Sequence, residues 1–272
     1  MSVAAMSEPV VPTPEQAEAA APRVAGWYGK LPSLGDFVTR RLPDEFVQPW
    51  DAWLCARLLD VQQALGERWL SMYLSCPVWR FFAMPGALGE AQRECWTGVL
   101  MASVDRVGRH FPLTIATALP AAPATSAEID IVWQWLSDIE GVALAALDFE
   151  HTVSQLDQAL ATLPLILSSE FVMRDVQDSQ AVKSEPWVVT CDGSFAEQLA
   201  RSLASEWQTP AQGMSLWSAA FNESSDLPGD AEAHDTGADA DKASSARVFR
   251  VWAASGLPDD ALFTAMLANQ TP

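Results

Sequence analysis

From Pro43 onward the apolar positions recur at helical steps. Phe46, Trp50, Trp53, Leu54, Leu58, Val61 and Leu65 share one face, and Gly66 stops the pattern. Pro49 falls inside this run, where a proline kinks a helix or marks the start of its longer part. The rhythm then changes. "CPVWRFFAM", "CWTGVLMASV" and "FPLTIATAL" are short apolar runs bounded by turn residues, and they read as strands. The last two are joined by "DRVGRH", a connection too short for anything but an antiparallel pair. Leu100, Val104, Phe111, Leu113 and Ile115 are the expected core of that sheet. An earlier strand, "RVAGWYGKL", leads into a glycine-rich loop.

Beyond residue 120 the pattern is helical again. Ser126 with Glu128 reads as a capped start to a helix reaching about Leu144. A second helix runs from about Thr152 to Leu163. "PWVVT" reads as a strand, "SFAEQLARSLASEW" as a helix, "GMSLWSAAF" and "ARVFRVWAA" as paired strands, and "LPDDALFTAMLANQ" as a closing helix. The organisation expected is a disordered leader over 1–22, an amino-terminal α+β domain over 23–120, and a carboxy-terminal helical and strand part over 121–272. That last part contains an acidic mobile loop at 222–245, low in apolar residues and rich in Asp and Ser. The fold class is α+β, a central, largely antiparallel sheet flanked by helices.

Charge changes the picture of partners. The net charge is −19, and it is uneven: residues 23–120 hold ten basic and nine acidic residues, residues 121–272 six and twenty-three. Such a surface repels a phosphate backbone, which argues against nucleic acid. No apolar run approaches the roughly 18 residues of a membrane span, so no membrane insertion is expected. The leader lacks the basic start of a secretory signal, and the chain reads as cytoplasmic. Cys55, Cys76, Cys95 and Cys191 are far apart in apolar settings and read as buried free thiols.

One stretch invites a chemical reading. "GWYGKLPSLGDF", residues 26–37, has a glycine-lysine pair behind an apolar run. A phosphate-binding loop needs a longer gap from its first glycine, a Ser or Thr after the lysine, and a helix start. Here Leu31 and Pro32 follow Lys30, and no helix begins there. A dinucleotide fingerprint fails on glycine spacing. His110, His151 and His234 lie far apart, with no paired cysteines, so neither a metal nor another cofactor is expected. No nucleophile elbow is present, and no catalytic residue is assigned. His110 beside Asp105 and Arg109 is the nearest approach to a general base, and turn chemistry explains the same residues.

The structural reading is a clasp. Gly29 and Gly35 allow tight turns, Pro32 stiffens the loop between them, and Asp36 caps backbone amides or pairs with an arginine. The cluster Asp105, Arg106 and Arg109 in "SVDRVGRHFPL" is its natural partner. The twelve tryptophans sit mostly in phase with core positions.

Taken together, "GWYGKLPSLGDFVTRRLPDEFVQPWDAWL", "GVLMASVDRVGRHFPLTIA", "SLWSAAF" and "GLPDDALFTAML" resemble the TagF (also called ImpM) family, accessory proteins of bacterial type VI secretion. The resemblance is close from residue 26 to about 120 and looser beyond. It implies a longin-like amino-terminal part. It also implies a non-enzymatic, post-translational repressor that binds a forkhead-associated-domain scaffold protein of the secretion apparatus. Lys30, Pro32, Gly35, Asp36, Asp105, Arg106 and Arg109 are the motif residues that would shape its protein-binding face, or else only fix two loops. Relatives tend to carry a second aromatic after "SLW", where this chain has Ser218. The alternatives are a hydrolase using His110 with a nearby carboxylate, and a structural subunit of the apparatus.

Overall fold

The computed structural model describes residues 22–123, 125–167, 187–191, 213–222 and 247–268. Eight strands form one sheet: β1 (Gly26–Gly29), β2 (Val38–Arg40), β3 (Trp79–Ala83), β4 (Cys95–Met101), β5 (Leu113–Leu119), β6 (Trp187–Cys191), β7 (Met214–Asn222) and β8 (Arg247–Ser255). Their spatial order is β2-β1-β5-β4-β3-β7-β8-β6, and each pairing is antiparallel. The class is α+β. The boundary expected at residue 120 does not separate two sheets, because β3 pairs directly with β7, Phe81 opposite Trp217. Apart from Pro22 and Asn222, the leader and the acidic loop lie outside the described residues, as does the helix read in "SFAEQLARSLASEW".

Helices cover both faces. Along β3, Trp79, Phe81 and Ala83 point one way and Phe82 the other, following the two-residue period of a strand. The first set packs under α1 (Asp44–Leu65), α2 (Trp69–Ser75) and α5 (Asp260–Leu267). Phe82, with Trp27, Val99, Leu113 and Ile115, packs under α3 (Ser126–Ala145) and α4 (Val153–Ala161). A sheet buried on both faces explains why its strands read as continuous apolar runs. Of the core residues expected around the β4–β5 hairpin, Leu100, Phe111, Leu113 and Ile115 are buried. Val104 is only partly buried and forms an isolated bridge to His110.

Local chemistry accounts for the elements. α1 runs through Pro49 without a break. The ring removes the amide that would bond the Glu45 carbonyl, and Glu45 is exposed, so water takes that acceptor. The cap of α3 is Thr125, one residue before the position the sequence pointed to. Thr125 and Glu128 form a reciprocal capping box. Thr152 and Gln155 do the same for α4, and the Asp259 carboxylate accepts from the Leu262 amide to start α5. Helix α2 follows a 3-10 turn over Gly66–Arg68; the sequence reading left this stretch unassigned.

Tryptophan joins the layers. Trp50 is fully buried and its indole donates to the Thr114 hydroxyl on β5 at 2.8 Å. Trp53 donates to the Pro258 carbonyl at 2.8 Å and meets Phe263 edge-on, which binds α1 to α5. On the other face, Arg80 pairs with Glu140 of α3 at 2.7 Å while its guanidinium lies 4.4 Å from the Trp133 ring. The thiols are not uniform. Cys95 is buried and Cys76 half-buried, but Cys55 is exposed, because it falls on the outer side of α1. Among the described residues no helix is long and apolar enough to cross a membrane, and no group of three His, Cys, Asp or Glu is placed to hold a metal ion.

Candidate functional site

Strand β1 ends at Gly29, whose φ is +130°. A Cβ at that position would sit 2.1 Å from the Pro112 carbonyl oxygen. Only glycine lets the chain leave the strand there, so tightly against the residues that open β5. Leu31, Pro32, Ser33 and Leu34 then make a turn closed by the Leu34 amide and the Leu31 carbonyl at 3.0 Å. Pro32 takes its second position, where a fixed φ is favoured. Gly35 differs from Gly29: its φ lies outside the left-handed region, and an added Cβ would meet nothing within 4 Å. Its part is played by its carbonyl.

The second loop is organised by Asp105. Its Oδ1 accepts from the amides of Val107 at 3.0 Å and Arg109 at 2.9 Å. Its Oδ2 accepts from Lys30 Nζ at 2.9 Å and Arg109 Nε at 2.6 Å. An aspartate at the head of a turn satisfies downstream amides in this way, and Gly108 supplies the positive φ of 83°. Burial alone pushes the Asp105 carboxyl up. Lys30, the Arg109 amide and guanidinium, and the Val107 amide together outweigh it and hold the carboxyl well below the usual carboxylate range.

Three more bonds lock the loops. The Arg106 amide donates to the Leu34 carbonyl at 2.8 Å, and the Ser103 hydroxyl donates to the Lys30 carbonyl at 2.8 Å. Arg109 Nη2 donates to the Gly35 carbonyl. Behind them the Tyr73 phenol accepts from the Ser103 amide at 3.0 Å and donates to the Ser103 carbonyl at 2.9 Å.

A clasp therefore exists, with its partners exchanged relative to the sequence expectation. Asp36 forms no ion pair among the described residues. It is exposed, and its Oδ1 accepts from the Phe37 amide at 2.8 Å. The acid that joins the loops is Asp105, and its cation from the first loop is Lys30, both side chains being nearly closed to solvent. Asp36 sits where water solvates it, and so it gains nothing by pairing. Lys30 is the first loop's cation in the clasp, and its ammonium also lies 4.8 Å from the Phe37 ring. His110 rests edge-on against Trp69 and Tyr73 at 5.5 and 5.8 Å, and no carboxylate bonds to it among the described residues. Asp105, the acid nearest to it in sequence, has both oxygens engaged elsewhere.

The outward side of the clasp carries what the bonding does not use. Phe37 is 44% exposed and Val107 69%, with Asp36, Arg106 and Arg109 around them. Phe37 is held by ring contacts to Tyr28 and Phe111. Tyr73, Ser103 and Phe37 were not singled out by sequence reasoning. Phe37 alone had a signal, as an apolar residue directly after Gly35-Asp36.

The fold and the clasp define an α+β protein built on one antiparallel sheet with two interlocked loops at the end of β1. Comparison with protein families matches residues 26–163, which include both loops, to the TagF N-terminal domain, type VI secretion system-associated. The chain belongs to the TagF family. It is similar to the crystal structure of PA0076 from Pseudomonas aeruginosa PAO1, at 34% identity over 91% of this chain and 96% of that one, with a TM-score of 0.61. No curated protein matches it.

Proposed function

We propose that this type VI secretion-associated protein is a non-enzymatic, cytoplasmic regulator that represses secretion after translation. It acts by occupying a forkhead-associated-domain scaffold of the apparatus, and it docks through the outward side of the clasp. The observation that carries the reading is a division of labour within the motif. Lys30 and Asp105 neutralise each other under cover, so neither is offered to a substrate. Phe37, Val107, Arg106 and Arg109 are held in place by that pair and presented outward. A small apolar centre ringed by arginine has the composition of a protein-binding patch.

The test uses the full chain. Val107→Glu changes an exposed side chain that makes no core contact, so the fold is retained. Purified protein is mixed with the purified forkhead-associated scaffold, and the complex is measured by calorimetry. Binding by the native chain, weakened at least tenfold in Val107→Glu, is the expected result. No binding by the native chain overturns the reading. In cells, deletion of the gene raises secretion if the protein represses; a structural subunit predicts silence instead. His110→Ala leaves repression intact on this reading and abolishes function in a hydrolase.

A further inference from the structure

At the other end of β1 from Lys30 the surface opens into a cavity of about 290 Å³. At about 30 Å³ per water in the liquid, that is room for a small ion with its hydration. Its wall includes Arg23, Arg41, Pro43, Glu94 and Trp96. Trp96 is 3% exposed, and its indole N–H has no hydrogen-bond acceptor among the described residues. Nearly all buried donors in folded proteins are paired, so an orphan in the wall of a cavity calls for an acceptor from outside the chain.

The charges point the same way. Arg23 is half-buried and, among the described residues, makes no ion pair and only one long side-chain bond, 3.4 Å to the Ala118 carbonyl. Its position is fixed by the backbone, which bridges to Leu165 in both directions at 3.1 and 2.8 Å. Arg41, in the same wall, has φ at 57°, a left-handed conformation rare for arginine. It is held there by bonds from its guanidinium to the Ala25 carbonyl and to Asp157, both at 2.9 Å. Pro43 ends the wall at the start of α1, whose first turn has no side-chain cap. Glu94 is the one acid in the wall; Arg41 is already offset by Asp157, so Arg23 is the guanidinium an incoming anion would take.

We infer that this cavity is a binding site for a small oxyanion of the phosphate class, held by Arg23 and Arg41 and accepting the Trp96 indole N–H. Arg23, with no ion-pair partner among the described residues, supplies the guanidinium fork that matches such a group. Arg41, half committed to Asp157, supplies charge. Glu94 limits affinity. The site is separate from the clasp, on which the proposed docking depends.

The probe is inorganic phosphate added to the full-length protein at constant ionic strength, with chloride as the balancing anion. The readout is the indole N–H region of the nitrogen-proton correlation spectrum, in which the Trp96 resonance is identified by its loss in Trp96→Phe. A saturable downfield shift of that resonance is expected. Arg23→Gln weakens the phosphate response at least tenfold, and Glu94→Gln strengthens it severalfold. Acetate gives a weaker response than phosphate. The inference is overturned if the Trp96 resonance does not move with phosphate, if it moves equally in Arg23→Gln, or if acetate acts and phosphate does not. Should Arg23→Gln fail to fold, judged by circular dichroism, the opposite-signed effect of Glu94→Gln decides the question.

Discussion

Replacing Tyr73 by Phe removes one oxygen from behind the clasp and nothing else. That oxygen makes two bonds, both to Ser103, and the two losses are not equal. The Ser103 carbonyl loses the phenol at 2.9 Å but keeps the Phe111 amide at 3.1 Å. The Ser103 amide, bonded at 3.0 Å to the phenol, has no other acceptor, and Ser103 is 2% exposed. A buried donor left orphaned costs about 1–3 kcal/mol. With the ring still filling its site there is no cavity to add. The expected loss is about 2 kcal/mol, roughly 4–8 °C in melting temperature for a chain of this size class.

Tyr28→Phe is the control. The Tyr28 phenol donates to Asp51, but Asp51 is half-exposed, and water replaces the lost donor, so the expected cost is under about 1 kcal/mol. Urea unfolding followed by tryptophan emission and by circular dichroism gives both numbers, and coincident transitions license the two-state treatment. Native-state hydrogen exchange adds a local readout, because the Ser103 amide should exchange faster in Tyr73→Phe alone. A loss below about 0.5 kcal/mol at Tyr73, or an equal loss at Tyr28, would refute the argument from the orphaned amide.

The remaining expectations concern the loops, their charge and the thiols. Gly29→Ala forces a methyl against the Pro112 carbonyl in a conformation that L residues avoid, at a cost of roughly 2–4 kcal/mol. Gly35→Ala places it in open space and stays within about 0.5 kcal/mol of the native chain. Urea midpoints for the pair should separate clearly, and equal midpoints would contradict the backbone geometry. Because the folded-state pKa of Asp105 is lowered, the native chain's advantage over Asp105→Asn is fully present above the ordinary Asp value of about 3.9. It shrinks as pH falls toward the lowered folded value. Unfolding titrations from about pH 7 to about pH 3 should show the gap narrowing only at the acid end, and a constant gap would show that ionisation is not its source. Burial pushes the Cys76 and Cys95 thiols up to about 12, whereas Cys55 is exposed. Of these three thiols, peptide mapping after mild alkylation should find Cys55 modified first and Cys95 protected until the protein unfolds.

Most of the fold was legible because its signals are local. The turn residues between β4 and β5 and the three- and four-residue spacing in α1 each act within a few positions, and the pattern records them directly. The α3 cap reads one residue late in the sequence, at Ser126 instead of Thr125. Helix α2 was missed because "WLSMYLS" is too short to establish a period, and it buries only Tyr73. The clasp was half legible for a different reason. Composition announced that a carboxylate and basic residues would join two loops, but it pointed to Asp36 where the structure uses Asp105. Burial ranks them, and burial is set by contacts 75 residues apart in the chain. A local cue did exist. In "DRVGR" the aspartate precedes a glycine turn whose amides need an acceptor, so Asp105 is committed to the turn before any lysine arrives. A carboxylate already fixed by two amides presents its other oxygen in one direction, toward the end of β1. Lys30 is the cation that strand delivers there. The pairing thus follows from turn chemistry first and charge second. The same order explains why Arg106, one residue further along the turn, gives only its amide to the clasp and leaves its guanidinium outside.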